Sequence, residues 1–206
     1  MAVTVRDHQR DFRGVTLAPY WRIVPPAQPV EGPLPTIVVS TGAGFGVGTH
    51  ETTQLCLLAL GHLLRTYPVP VAVLDFGAGT GILGVAAARR AGSRVDAVEI
   101  DEAARAHARE TARLNGVADL VDVRETMAEP PATFDLVLGN VLCDVLLEYA
   151  GPLCERQSRG GHMVLSGLVA TDVPAIVARY SPLLAPMRAQ IFERDEWRAV
   201  MYSGGG

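Results

Sequence analysis

Lysine is missing from this chain: all eighteen basic residues are arginine. The gap most simply reflects coding bias, and it removes lysine as a nucleophile, general base or self-modification site. Cysteine is scarce. Cys56, Cys143 and Cys154 form no CxxC pair, and an odd number of scattered thiols reads as reduced and buried. Positive charge is in short supply too: at a formal net charge of −4 the overall field does not favour polyanions, so nucleic acid is not an expected partner. Long apolar runs are also lacking. The segment 55–64 is broken by Gly61 and His62 and is too short to cross a bilayer, so no membrane association is expected. The opening MAVTVRDHQRDFRG is charged and has no apolar centre, so a secretory signal is not expected and the expected compartment is the cytoplasm.

What is present suits a compact fold. A hydrophobic content of 49% with 19% charged residues argues against disorder, and 206 residues fit one domain or one domain with a small appendage. The most informative stretch is 71–101, VAVLDFGAGTGILGVAAARRAGSRVDAVEID. An apolar run over 71–76 carries Asp75 near its end and opens into Gly77, Gly79 and Gly81. A small-residue helix is expected over 82–91, stopped by Gly92, and a second apolar run over 95–100 carries Glu99 and is followed by Asp101. Strand, glycine turn, helix, strand and acid make the first half of a nucleotide-binding α/β sheet. Two ligands fit this pattern. Gly79, Gly81 and Gly84 satisfy GxGxxG with Glu99 about 20 residues on, which suits NAD. Residues 75–81 also read as DxGxGxG, with a carboxylate at the strand end. That carboxylate would repel a pyrophosphate but attract a cationic amino acid, which favours S-adenosyl-L-methionine.

The rest of the chain arranges itself around that core. Residues 1–36 form a proline-rich, extended arm, with Pro19, Pro25, Pro26, Pro29, Pro33 and Pro35 forbidding a long helix. Phe12, Leu17, Tyr20, Trp21 and Ile23 give it apolar material to dock on the main domain, 37–206, as an edge hairpin. Trp21 either anchors that arm or lines an acceptor cleft. A short strand is expected over 36–40, then the glycine loop TGAGFGVGTHETT over 41–53, with Thr49 capping a helix over 51–65. Further helices are expected over 102–114, 141–156 (with Pro152 inside) and 171–184. Strands are expected over 119–124, 135–139, 162–166, 187–193 and 197–202, the proline-bearing 127–134 serving as a linker, Gly160-Gly161 as a turn and 204–206 as a frayed end. Alternating strand and helix demands a doubly wound α/β sheet, Rossmann-like and mostly parallel. The two closing strands, joined by a tight turn, require one antiparallel strand near the C-terminal edge.

Seven stretches together resemble the ribosomal protein L11 methyltransferases of the class I methyltransferase superfamily: FGVGTHETTQLCLLAL (45–60), VLDFGAGTGILGVAA (73–87), AVEIDEAA (97–104), NGV (115–117), DLVLGNVL (135–142), LSGL (165–168) and DEWRAV (195–200). The segment LAPYWRIVPP (17–26) also resembles the one ahead of that family's catalytic domain. The resemblance implies an S-adenosyl-L-methionine site at the carboxyl edge of the sheet, with Gly77, Gly79 and Gly81 against the donor's methionine portion. Asp75 would act on its amino group directly or through water, and Glu99, where the family more often has aspartate, would take the ribose hydroxyls. Thr53 would close over the donor, and Asn140 would lie beside the reactive methyl, serving both donor binding and catalysis. Its side-chain carbonyl can accept an amine N–H and aim the nitrogen lone pair without adding charge.

The resemblance implies an amine acceptor, in L11 or another protein, or in a small molecule. The family's N-terminal recognition domain is expected to be missing, and GNVLCD, where the family has ANILAG, places Cys143 and Asp144 near the acceptor. An NAD-dependent oxidoreductase and a non-catalytic donor-binding module are the rival readings. His50 reads as a loop-packing residue with no metal-ligand spacing around it, so no metal is expected. Trp197 reads as a sheet-packing aromatic. Arg105, Arg109 and Arg113, with Glu102 and Glu110, read as a solvated helix face.

Overall fold

The computed structural model describes residues 12–28, 32–40, 46–129 and 132–204. The start of the arm, its proline at 29, the front of the glycine loop (41–45), the linker prolines at 130 and 131 and the last two glycines lie outside the described residues.

Strands β1 (Val15–Leu17) and β2 (Trp21–Val24) form an antiparallel hairpin, and β3 (Thr36–Val38) runs parallel to β2. They make a three-stranded sheet of their own rather than an edge of the main one. Trp21 and Ile23 share a buried cluster with Leu57 and Leu60 of helix α1 (Glu51–Thr66). The Trp21 indole N–H donates to the Leu57 carbonyl at 2.6 Å, so Trp21 is the arm's anchor. Gly61 of α1 is where the Tyr20 ring comes closest: a Cβ there would overlap it. Helix α1 is apolar over most of its circumference because the arm packs on one side and the main sheet on the other. Its N-cap is His50 rather than Thr49: the extended His50 turns its ring Nδ1 to accept the Thr52 N–H at 3.3 Å.

The main sheet follows as β4 (Ala72–Phe76), α2 (Ile82–Ala91), β5 (Arg94–Val98), α3 (Glu102–Leu114), β6 (Val121–Arg124), β7 (Phe134–Asn140), α4 (Cys143–Glu148), α5 (Ala150–Glu155), β8 (Gln157–Val169), α6 (Val173–Tyr180), β9 (Arg188–Arg194) and β10 (Trp197–Ser203). Its seven strands lie in the order β6-β5-β4-β7-β8-β10-β9. Pairings from β6 through β8 are parallel, and β10 is antiparallel to both of its neighbours. This is the expected doubly wound sheet with one antiparallel strand near its C-terminal edge. Period-2 alternation sorts the core onto two faces. Val73, Leu136, Leu138, Val164 and Met201 pack in one cluster with α1 and α2. Leu74, Val137, Met163, Leu165 and Tyr202 pack in the other with α4, α5 and α6.

Two local expectations are corrected. The helix over 141–156 is divided at Tyr149, because a continuous helix would need a Pro152 N–H for the Glu148 carbonyl and would drive the proline ring into it. Gly160-Gly161 is not a turn between elements but an irregularity inside β8, where the register against β7 shifts between Phe134 and Leu136. Gly160 is left-handed there (φ 82), and a Cβ on Gly161 would meet the Asp135 carbonyl at 2.8 Å. Among the described residues, no helix is long and apolar enough to cross a membrane.

From β4 the chain winds outward through β5 to β6, then returns to lay β7 on the other side of β4. That reversal leaves the carboxyl ends of β4 and β7 without a crossover between them, the place where open α/β sheets form a ligand crevice.

Candidate active site

A cavity of about 900 Å³ lies at that crevice. Gly77 to Gly79 line it after β4, Glu99 and Ile100 after β5, and Glu125 to Met127 with Glu129 after β6. Asn140, Val141 and Leu142 line it after β7, and His50, Thr52 and Thr53 bring in the start of α1.

The glycine turn is left-handed at Gly77, Gly79 and Gly81 (φ 70, 56 and 74), a conformation glycine adopts without steric cost. The N–H groups of Gly77 and Ala78 both donate to the Val98 carbonyl at 2.9 Å, which ties the turn to the end of β5. Gly81 does not reach the cavity. It faces α3, where a Cβ would stand 3.0 Å from that of Ala108, so its lack of a side chain serves helix packing.

Glu99 is held from two sides. Its Oε2 accepts the Gly79 N–H at 2.9 Å and its Oε1 accepts the Asp101 N–H at 3.0 Å. Each carboxylate oxygen keeps accepting capacity, so the pair is oriented to take two hydroxyl donors from the cavity. Asp75 lies beneath the turn rather than in the cavity lining. It is 1% exposed, and its Oδ2 accepts the Gly84 N–H of α2 at 2.8 Å. Burial pushes its carboxyl up to about 7 against the lowering effect of the Gly84 bond, and the negative charge of Glu99 adds to the rise.

Asn140 ends β7. Its Nδ2 donates to Thr53 Oγ1 at 3.3 Å, while its buried Oδ1 has no hydrogen-bond partner. A buried acceptor left unpaired costs about 1–3 kcal/mol, which a donor group entering the cavity can recover. The next residue, Val141, is wedged between two glycines. A Cβ on Gly77 would overlap its side chain, and a Cβ on Gly167, in the LSGL stretch, would overlap its carbonyl oxygen. The backbone at Asn140 and Val141 is thereby fixed in depth. Thr53, Gly77, Gly79, Glu99 and Asn140 are thus brought together around one cavity, with Asp75 and Gly81 behind it.

Sequence reasoning missed several wall residues. Residues 125–129, which overlap the expected linker, form a rim, and the cavity is lined by the carboxylates Glu99, Glu125, Glu129 and Glu148, of which Glu129 pairs with Arg156 at 2.9 Å and Glu125 stands 3.8 Å from Arg105. Ile100 and Leu142 stand 83% and 74% exposed on this rim, an unusual setting for large aliphatic side chains. Trp197 lines the cavity with its ring 4.9 Å from that of His50, edge to face. The expected solvated arginine face holds at Arg109 and Arg113, both exposed, with Arg113 pairing with Glu110 at 2.7 Å, and fails at Arg105. Arg109 donates to the Val123 carbonyl, and Arg105 donates to the carbonyls of Glu99 and Ile100. Cys56 is buried, and burial pushes its thiol far up, beyond reach of thiolate chemistry. Among the described residues, no group of three or more His, Cys, Asp and Glu is placed to hold a metal ion.

Known proteins resemble this chain in sequence and in fold. The ribosomal protein L11 methyltransferase of Pelobacter propionicus is 38% identical over 196 residues, covering 92% of this chain but 61% of its own length. The chain therefore spans about three fifths of that relative. The crystal structure of ribosomal protein L11 methylase from Lactobacillus delbrueckii subsp. bulgaricus superposes with a TM-score of 0.81 at 27% identity, over 95% of this chain and 100% of that one. An O-methyltransferase from Bacillus cereus shares the fold at a TM-score of 0.56 and 17% identity, over 75% of this chain and 82% of that one. The fold is that of the class I methyltransferases. The family model described as "Ribosomal protein L11 methyltransferase (PrmA)" matches residues 11–203, and the chain belongs to that family.

Proposed function

We propose that this chain is a cytoplasmic, S-adenosyl-L-methionine-dependent N-methyltransferase that transfers a methyl group to an amine of a protein, a lysine or terminal amine of L11 or of an L11-like ribosomal protein. The observation that carries the reading is the buried, unpaired Oδ1 of Asn140 at the mouth of β7, opposite a Glu99 carboxylate already fixed for a diol. The residues present fit the donor. Glu99 takes the ribose hydroxyls, Gly77 and Gly79 leave room for the methionine portion, and Thr53 orients the Asn140 amide through its Nδ2. Asp75, out of direct contact, carries its charge to the donor's amino end through the turn. In this reading residues 37–206 hold the donor site and the proline-rich arm through 36 is an appendage packed on it.

When bound, S-adenosyl-L-methionine supplies a methyl group on a positively charged sulfur, already activated for displacement. The chain's own residues align, shield and neutralise. Asn140 Oδ1 accepts an N–H of the incoming neutral amine, which points the nitrogen lone pair into the cavity. The lining glutamates, Glu99 and Glu148 more than Glu125 and Glu129, which have Arg105 and Arg156 beside them, favour a cationic donor and a basic acceptor segment and disfavour a pyrophosphate. That argues against the dinucleotide reading of GxGxxG, and the family assignment adds to the argument.

Incubation of the chain with methyl-labelled S-adenosyl-L-methionine, purified L11 and a bacterial extract tests this. The expected result is label on a lysine or terminal amine of a ribosomal protein. Label confined to small molecules, or NAD binding without binding of the methyl donor, overturns it.

A further inference from the structure

We propose that Arg105 is a positioning residue for the methyl donor, one that clamps the cavity rim formed after β5 and reaches toward the rim formed after β6. It rests on the donor reading above and adds a residue with no place in the glycine and acid motifs. Arg105 lies on the first turn of α3, and its side chain is only 12% exposed. One guanidinium nitrogen, Nη1, donates to the Glu99 carbonyl at 2.9 Å and to the Ile100 carbonyl at 2.8 Å. The other, Nη2, stands 3.8 Å from the Glu125 carboxylate on the next rim. All three partners line the cavity.

The arrangement matters most for Ile100. At 83% exposure almost nothing packs against this side chain, so its direction is set by its backbone alone. That backbone is held by Arg105 at the carbonyl and, one residue earlier, by the Glu99 N–H donating to the Arg124 carbonyl at 3.0 Å. Glu99 gains in the same way: with its carbonyl clamped from α3, its carboxylate is left to bridge Gly79 and Asp101. A planar guanidinium, with several donors in a fixed fork, suits this task; an ammonium on a flexible stem does not.

Arg109 is the built-in control. It lies on the same helix and makes one comparable bond, to the Val123 carbonyl at 3.1 Å, but neither it nor Val123 lines the cavity. In the donor-free chain, Arg105→Met is expected to speed exchange of the Asp101 amide about tenfold, the equivalent of one lost charge-assisted hydrogen bond. Arg109→Met leaves that amide unchanged. With donor, Arg105→Met raises the dissociation constant for S-adenosyl-L-methionine about tenfold while turnover at saturating donor stays within about twofold. Arg105→Lys, the milder variant should Arg105→Met fold poorly, falls between the two.

Equal shifts in the Arg105 and Arg109 variants, or unchanged donor affinity in Arg105→Met beside a wild-type chain that binds, overturn the positioning role alone. Failure of the wild-type chain to bind donor overturns the donor reading and this proposal with it.

Discussion

The two walls of the cavity are built on opposite principles. The wall after β4 and β5 is tied down by hydrogen bonds: Gly77 and Ala78 to the Val98 carbonyl, Gly79 and Asp101 to Glu99, and Arg105 to the carbonyls of Glu99 and Ile100. The wall after β7 is fixed by shape, with Val141 wedged between glycines, and it leaves the Asn140 Oδ1 unpaired and Leu142 exposed. A wall whose polar groups already satisfy one another binds an invariant ligand at little ordering cost. A wall that retains an unsatisfied group reserves its stabilisation for whatever arrives, which in the proposed methyl transfer is the acceptor. On the proposed function, the first wall suits the donor and the second the reacting amine.

That contrast is open to three experiments. Asn140→Ala carries the largest expected effect: turnover falls about 100- to 1,000-fold, as for removal of one oriented polar group at a reacting centre, while donor affinity changes only a few-fold. Equal losses in both quantities would erase the distinction between the walls. Glu99→Ala reverses the pattern: donor affinity falls about tenfold or more, with a much smaller effect on turnover once donor saturates. Titration calorimetry and saturation kinetics on the same preparations separate the two.

The smallest effect concerns Asp75. Its carboxyl is raised to about 7, first by burial and then by the Glu99 charge, with the Gly84 N–H opposing. The neutral form is therefore favoured on folding, so this group's contribution to stability is complete below its unfolded value near 3.8 and is lost as pH rises through 7. A cationic donor favours the ionised form, so its binding releases a proton, and donor affinity drops about threefold from pH 7 to 6. Asp75→Asn abolishes both dependences. Calorimetry in buffers of different ionisation enthalpy counts the released proton; a count of zero confines Asp75 to pinning the start of α2.

The wall proposed for the donor was largely legible in sequence and the wall proposed for the acceptor was not, for a physical reason. The turn at Gly77, Gly79 and Gly81 needs positive φ, and Glu99 must follow the adjacent strand, so both leave local marks at fixed spacing. The rim at 125–129 leaves none: those residues become neighbours of Ile100 only through the pairing of β5 with β6. Arg105 looked like one of three equivalent arginines because helical spacing cannot tell a side chain that meets loop carbonyls from one that meets solvent. Thr49 and His50 are both competent caps, and only the backbone at the start of α1 decides between them. Pro152 was visible, but the consequence, a helix cut at Tyr149, depends on which carbonyl its ring would strike.

The wedge at Val141 also constrains how the site can change over generations. A side chain on Gly77 would meet that of Val141 and one on Gly167 would meet its carbonyl, so a bulkier residue at either glycine displaces Val141. A substitution at either glycine therefore acts first on Val141, the chain neighbour of Asn140. On the proposed function, drift in acceptor preference is channelled instead to positions with open space around them, Leu142 on the rim foremost. On the proposed function, the residues that hold the mouth of β7 still leave the choice of substrate free to wander beside it.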